Sequence, residues 1–130
     1  MSGFSTTAAF PNALMWLMSE DDQELVIPEI DGVANFWTSQ NAWGVAVQHD
    51  AEGEVELTIG PNPPEDPSLM QLHEGILHTG RRLIDVQTVY LDSIARFRTR
   101  SEDTPIRIWG DDPKQPEHVQ IQCPDIEEML

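Results

Sequence analysis

Apolar residues occupy every second position in two stretches near the middle of the chain, residues 43–47 and residues 55–59. A period of two is typical of β-strands with one buried face. The intervening Asp50-Ala51-Glu52-Gly53 has the residue types of a turn, so the pattern predicts a β-hairpin. The outward positions of its second strand include Glu54 and Glu56, which predicts an acidic outer face.

Similar patterns predict strands in the second half of the chain. Residues 75–79 and 82–91 resemble extended segments, with Ile84, Val86 and Tyr90 on one face. Alternation returns at 106–109 and 119–123, on either side of a loop rich in Gly, Asp and Pro. These last two segments therefore predict a terminal hairpin.

Two stretches remain ambiguous by pattern alone. Tyr90, Ile94 and Phe97 have helical spacing, so residues 90–97 fit either a strand or a short helix. Residues 4–18 are apolar but interrupted by Pro11, which predicts one strand or a turn of helix.

Four prolines fall within residues 60–67, which excludes a helix or a central strand there. We expect a stiff connector between two halves of one domain, because neither half could bury a core alone. Alternating segments outnumber helical ones. The predicted fold is therefore mainly β, a single-domain antiparallel β-sandwich over residues 1–130 with at most one short helix.

The charge balance narrows the range of partners. The chain has 7 Lys and Arg residues against 23 Asp and Glu, a formal net charge of −16, and residues 1–80 contain neither Lys nor Arg. Nucleic acid is thus excluded as a partner, whereas a basic protein surface would be attracted over long range. The alternative is that acidity serves solubility only.

Apolar runs are too short to predict a membrane span, which needs about 18 residues. Residues 1–10 lack the basic residues of a signal peptide, so we expect a cytoplasmic protein. The single Cys123 excludes an internal disulfide and is predicted to be a buried apolar residue rather than a nucleophile.

His73-Glu74-Gly75-Ile76-Leu77-His78 has the most catalytic appearance of any segment. Its histidines are five residues apart, whereas the zinc-binding helix motif requires four, and on a strand an odd separation directs them to opposite faces. No carboxylate pair stands out in so acidic a chain, and no glycine-rich phosphate loop is present. We predict no catalytic residue, no metal site and no cofactor.

Arginines occupy alternate positions at Arg96, Arg98 and Arg100. On a strand they form a basic stripe, which we predict to pair with carboxylates of a neighbouring strand. Anion binding is the alternative.

Acidic clusters, one beside a tryptophan, are the candidates for binding a basic protein. Carboxylates next to an aromatic side chain are typical of such interfaces, although ordinary solvated loops have the same composition. The candidates are Glu20, Asp21, Asp22 and Glu24; Glu52, Glu54 and Glu56; Glu102 and Asp103; and Trp109 with Asp111 and Asp112.

Four segments within residues 33–122 carry a resemblance to a known group: Phe36-Trp37 through Ala42-Trp43-Gly44, Val55-Glu56-Leu57-Thr58-Ile59, Gly80-Arg81-Arg82-Leu83-Ile84-Asp85-Val86, and Ile106-Arg107-Ile108-Trp109. Their order resembles the competence-protein-J group of small bacterial nuclease inhibitors and similar acidic immunity proteins of toxin systems. The resemblance implies a non-enzymatic inhibitor that occludes the active site of a cognate toxin, above all a nuclease. Alternatives are a DNA-mimicking acidic regulator of phage or host origin, and a small-ligand-binding domain or enzyme.

Overall fold

The computed structural model describes residues 3–19 and 23–130, and most of its regular structure is strand. The strands are β1 (Phe4–Ala8), β2 (Leu14–Met18), β3 (Phe36–Thr38), β4 (Ala42–Ala46), β5 (Val55–Gly60), β6 (Met70–His78), β7 (Leu83–Gln87), β8 (Ser93–Thr99), β9 (Asp103–Gly110), β10 (His118–Gln122) and β11 (Ile126–Met129). Short 3-10 turns lie at Pro11–Ala13 and Asp50–Glu52.

The strands form two sheets. The first sheet has the order β1-β5-β10-β9-β6, and the second has the order β11-β8-β7-β2-β4-β3. Neighbouring strands are antiparallel with one exception among the described pairs, since β10 runs parallel to β5. The predicted mainly β sandwich is therefore confirmed, with a single parallel pair inside an otherwise antiparallel sheet.

The inner faces of the two sheets meet in one apolar core. Leu57 and Ile121 reach it from the first sheet, and Leu17 and Phe97 reach it from the second, each without solvent exposure. Removing one such side chain from water stabilises the fold by about 1.5–3 kcal/mol. Cys123 lies in the same core, as predicted, and burial raises the pKa of its thiol to about 12. The thiol therefore stays protonated and unreactive at neutral pH.

The predicted hairpin between β4 and β5 is wrong, although both strands are present. β4 pairs with β2 and β3 in the second sheet, whereas β5 pairs with β1 and β10 in the first. The connection 47–54 crosses from one sheet to the other. Alternation is satisfied either way, because both strands direct their apolar face into the same core.

The terminal hairpin is confirmed, with Ile121 of β10 opposite Ile108 of β9. The ambiguous stretch 90–97 forms most of β8 rather than a helix, and the N-terminal stretch 4–18 holds two strands separated by the turn Pro11–Ala13. β2 shows no alternation because all five of its residues are buried. It is covered on both faces, which produces a continuous apolar run.

A second apolar layer covers β2 on the outer face of the second sheet. Leu14, Trp16, Met18 and Ala42 are buried there, with Trp37 packed against them. Residues 23–35 contribute to this layer and are called the covering segment. They are held by Asn41, whose side chain accepts the N–H of Val26 (2.8 Å) and donates to the carbonyl of Glu24 (2.8 Å).

The proline-rich connector joins two strands of the same sheet, β5 and β6, and residues on either side of it contribute strands to both sheets. It leaves β5 at Gly60 and folds back over the outer face of the first sheet. There the amide of Gln120 donates to the carbonyl of Asn62 (3.2 Å). The connector thus places its own side chains on that face.

Candidate functional site: an acidic end of the sandwich

Two loops that are distant in sequence meet at one end of the sandwich. Loop 47–54 contacts loop 111–117 through the N–H of Gln48, which donates to the carbonyl of Pro116 (3.1 Å). We call these two loops, together with Glu56, the acidic end. Its loop acids are all exposed: Asp50, Glu52, Glu54, Asp111, Asp112 and Glu117. Among the described residues, Lys114 is the only Lys or Arg of the acidic end.

Strand alternation places two of the first group of predicted acids, Glu54 and Glu56, on one surface. Glu52 ends the turn Asp50–Glu52, and Glu54 and Glu56 flank Val55 at the start of β5. Because Val55 is fully buried in the core, its two neighbours face outward. All three glutamates are exposed to solvent.

The second group lies on a loop that its own carboxylates hold in place. Asp111 accepts the N–H groups of Glu117 (2.9 Å) and His118 (3.2 Å). Asp112 accepts those of Gln115 (2.9 Å) and Lys114 (2.8 Å), and these bonds hold the pKa of its carboxyl below the ordinary value of 3.8. Both acids therefore have defined positions in the loop.

Strand register brings the two groups together. Glu56 lies opposite His118 across the β5–β10 pair, and the carbonyl of His118 accepts the N–H of Asp111 (3.3 Å). Since neighbouring strands are about 4.8 Å apart, the backbones of Glu56 and Asp111 lie about 10 Å from each other. Acids separated by more than fifty residues in sequence thus form one surface.

Trp109 lies beside this surface, on the outer face of the first sheet and opposite Gln120. Its indole N–H donates to the amide oxygen of Gln122 (3.0 Å), and the ring is half-buried. The hydrogen bond fixes the ring orientation. Trp109 is therefore a rigid neighbour of the acidic end rather than a freely exposed side chain.

Glu65 and Asp66 of the connector join the same outer face, a contribution that the sequence did not predict. Both are exposed, and both line a cavity of about 380 Å³ together with His118 and Gln120. The Ser68 hydroxyl (2.7 Å) and N–H (2.9 Å) both donate to Asp66 and lower the pKa of its carboxyl. Only the path of the connector over β10 could reveal this position.

Glu102 and Asp103 lie at the opposite end of the sandwich. β9 begins at Asp103 and ends at Gly110, so about 23 Å of strand separates Asp103 from the acidic end. Asp103 contacts His78 there (2.7 Å). These two acids do not belong to the surface that holds Asp111 and Asp112. The acids Glu20, Asp21 and Asp22 lie outside the described residues.

His73 and His78 lie on opposite faces of β6, as their spacing predicts. His73 faces inward, 4.8 Å from the ring of Phe36 and 4.9 Å from the ring of Trp43, whereas His78 faces Asp103. Across the described part of the chain, no three His, Cys, Asp or Glu side chains form an arrangement that could hold a metal ion. The described part also contains no helix long and apolar enough to cross a membrane.

The arginine stripe pairs internally, as predicted for two of its members. Arg96 contacts the buried Asp85 of β7 (3.0 Å), and Arg98 contacts Glu128 of β11 (2.7 Å). Arg100 is exposed beyond the end of β8. Arg96 and Arg98 therefore pair with acids of the second sheet.

Comparison with known proteins identifies a solved structure that has a similar fold. No family model and no curated protein sequence matches the chain. Among solved structures, the chain is similar to ComJ of Bacillus subtilis, described as an inhibitor of the DNA-degrading activity of NucA. The TM-score is 0.69 at 10% sequence identity, over 92% of this chain and 93% of that chain. The predicted resemblance to the competence-protein-J group is thus confirmed at the level of the fold.

Proposed function

We propose that this protein is an inhibitor that binds a nuclease of its own cell or its neighbours and blocks the nuclease active site with the acidic end. The observation that carries the proposal is the gathering of acids from three separate segments, 50–56, 65–66 and 111–117, onto adjoining surfaces. The fold shared with ComJ supports the same class of function. The protein would act in the cytoplasm and without a catalytic residue of its own.

Electrostatics gives the proposal its mechanism. A nuclease surface that holds DNA phosphates is basic, and a cluster of carboxylates can occupy it in place of phosphate. Attraction between the two surfaces would speed their encounter, whereas contacts made after docking would set the lifetime of the complex. Glu52, Glu54 and Glu56 would approach together with Asp111 and Asp112, since all five share one end of the sandwich.

Inhibition of DNA cleavage tests the proposal directly. The probe is purified NucA, the nuclease that ComJ is described as inhibiting. It is assayed on linear duplex DNA with increasing amounts of the protein. We expect stoichiometric loss of cleavage that excess DNA relieves, because inhibitor and substrate would compete for one surface. Unchanged cleavage at a large excess of the protein would contradict the proposal.

A further inference from the structure

An apolar groove borders the acidic end on the outer face of the second sheet. It encloses about 590 Å³ between the covering segment, β2 and loop 111–117. We define the apolar groove by six of its lining residues: Leu14, Trp16, Ile30, Val33, Trp37 and Val89. Trp16 and Leu14 form its buried floor, and Trp37 packs beside them.

The wall of the groove is held by one carboxylate. Asp31 accepts the N–H groups of Val33 (2.9 Å) and Ala34 (3.0 Å) and the indole N–H of Trp37 (2.9 Å). The first two bonds lie within the covering segment, and the third joins the tip of that segment to Trp37 of β3. A wall fixed in this way loses little conformational freedom when a ligand binds.

Apolar side chains at the rim of the groove face solvent. Val33 is 86% exposed and Ile30 is 40% exposed, and Val26 and Ile27 of the covering segment are exposed as well. Exposed apolar side chains beside a groove are typical of sites that bind another molecule.

The groove is continuous with the acidic end. Lys114 and Gln115 line it, and they belong to the loop that carries Asp111 and Asp112. Val47 also lines it, one residue before the Gln48 N–H that bonds this loop. A partner seated on the acidic end would therefore reach the groove without a second binding event.

The charged residues around the apolar groove indicate which kind of ligand it would bind. The covering segment carries Glu24, Glu29 and Asp31 and no Lys or Arg, and the loop across the groove carries Asp111 and Asp112. These acids surround the groove, and Lys114 is the one charged side chain among its described lining residues. An anionic ligand would be repelled, whereas an apolar side chain flanked by Lys or Arg fits both the walls and the rim.

We infer that the apolar groove receives an apolar side chain, flanked by basic residues, from the protein that docks on the acidic end. This inference rests on the proposed function for the identity of the partner, but the groove can be tested alone. Such an interface places an apolar anchor beside a charged rim, the usual arrangement of a binding hot spot.

A short peptide tests the groove without the nuclease. The chain has four tryptophans, so the indole N–H signals of ¹⁵N-labelled protein report four places. Titration with Lys-Lys-Phe-Lys-Lys, capped at both ends, should shift the Trp16 and Trp37 signals saturably and leave those of Trp43 and Trp109 unchanged. The matched peptide Glu-Glu-Phe-Glu-Glu should have no effect. No saturable shift up to about 10 mM, or equal binding of both peptides, would overturn the inference.

Paired substitutions extend the test to the nuclease. Val33→Arg places a positive charge at the groove rim, and Ile76→Arg makes the same change at a 62% exposed residue of the first sheet. We expect Val33→Arg to speed dissociation of the nuclease complex about tenfold or more, and Ile76→Arg to leave it unchanged. Equal dissociation rates for both variants would refute the inference about the groove and leave the proposed function unaffected. Peptide binding without nuclease binding would refute the proposed function and support the inference about the groove.

Discussion

The imidazole of His73 stacks on the ring of Phe36, with ring centroids 4.8 Å apart and planes inclined by 19°. His73 belongs to β6 of the first sheet and Phe36 to β3 of the second, so the pair joins the edge strands of the two sheets. Trp43 contacts the same imidazole edge to face. A titratable ring therefore contributes to the closure of the sandwich.

Burial of this ring makes stability depend on pH. Burial lowers the pKa of His73 below its ordinary value of 6.5, against an opposing effect of Glu74. The unfolded chain then binds the proton more readily, so this contribution to stability is present above pH 6.5 and is lost as the pH falls below it. Urea unfolding should show a smaller loss of stability between pH 7 and 5 in His73→Phe than in the wild type. The two curves should stay parallel from pH 7 to 8, and an equal loss in both proteins would contradict the prediction.

Asp31 should remain ionised at unusually low pH. Its hydrogen bonds from Trp37, Val33 and Ala34 lower the pKa of its carboxyl from 3.8 to about 2. Its contribution to stability is therefore present above pH 3.8 and is lost as the pH falls toward 2. Carboxyl ¹³C titration by NMR should give a midpoint near 2 for Asp31, with the signal identified by its absence in Asp31→Asn. A midpoint near 3.8 would show that these bonds do not persist in solution.

Removing charge from the acidic end should slow association with the nuclease. Glu52→Gln, Glu54→Gln and Glu56→Gln together remove three charges from exposed positions, which should preserve the fold. Stopped-flow association rates should fall, because fewer charges attract the nuclease. The rates should also depend less on salt, which screens this attraction over a Debye length of about 8 Å at physiological ionic strength. The matched control removes three charges elsewhere through Glu102→Gln, Asp103→Asn and Glu127→Gln. Equal slowing by both triple variants would leave net charge rather than the acidic end as the cause.

A side chain at Gly110 should destabilise the fold. A Cβ at this position would lie 2.7 Å from Cδ1 of Leu72 and 3.0 Å from Cβ of Pro116. Gly110→Ala should therefore lower the free energy of unfolding by about 1–3 kcal/mol through overpacking. Gly80→Ala is the control, since its Cβ would meet no atom within 4 Å. Equal urea midpoints for the two variants would mean that loop 111–117 can move away at no cost.

Local alternation of residue types was enough to predict most strands and the fold class. β5, β9 and β10 alternate between core and outward positions, and a short loop joins the last two, so their pairing followed from the sequence. β2 escaped prediction because the covering segment buries its outer face as well. Alternation reports burial of one face and fails where both are covered.

The sequence by itself determined the net charge of this protein, whereas the tertiary structure decided which of its acids lie together on one surface. The sequence alone shows that residues 1–80 contain no Lys or Arg and that Glu54 and Glu56 are acidic. Their proximity to Asp111 depended on β10 lying parallel to β5 and antiparallel to β9. β4 and β5 likewise entered different sheets, although alternation suited a hairpin equally well. A strand's own residues specify which face is buried, whereas its neighbours are chosen by competition among all strands for one core.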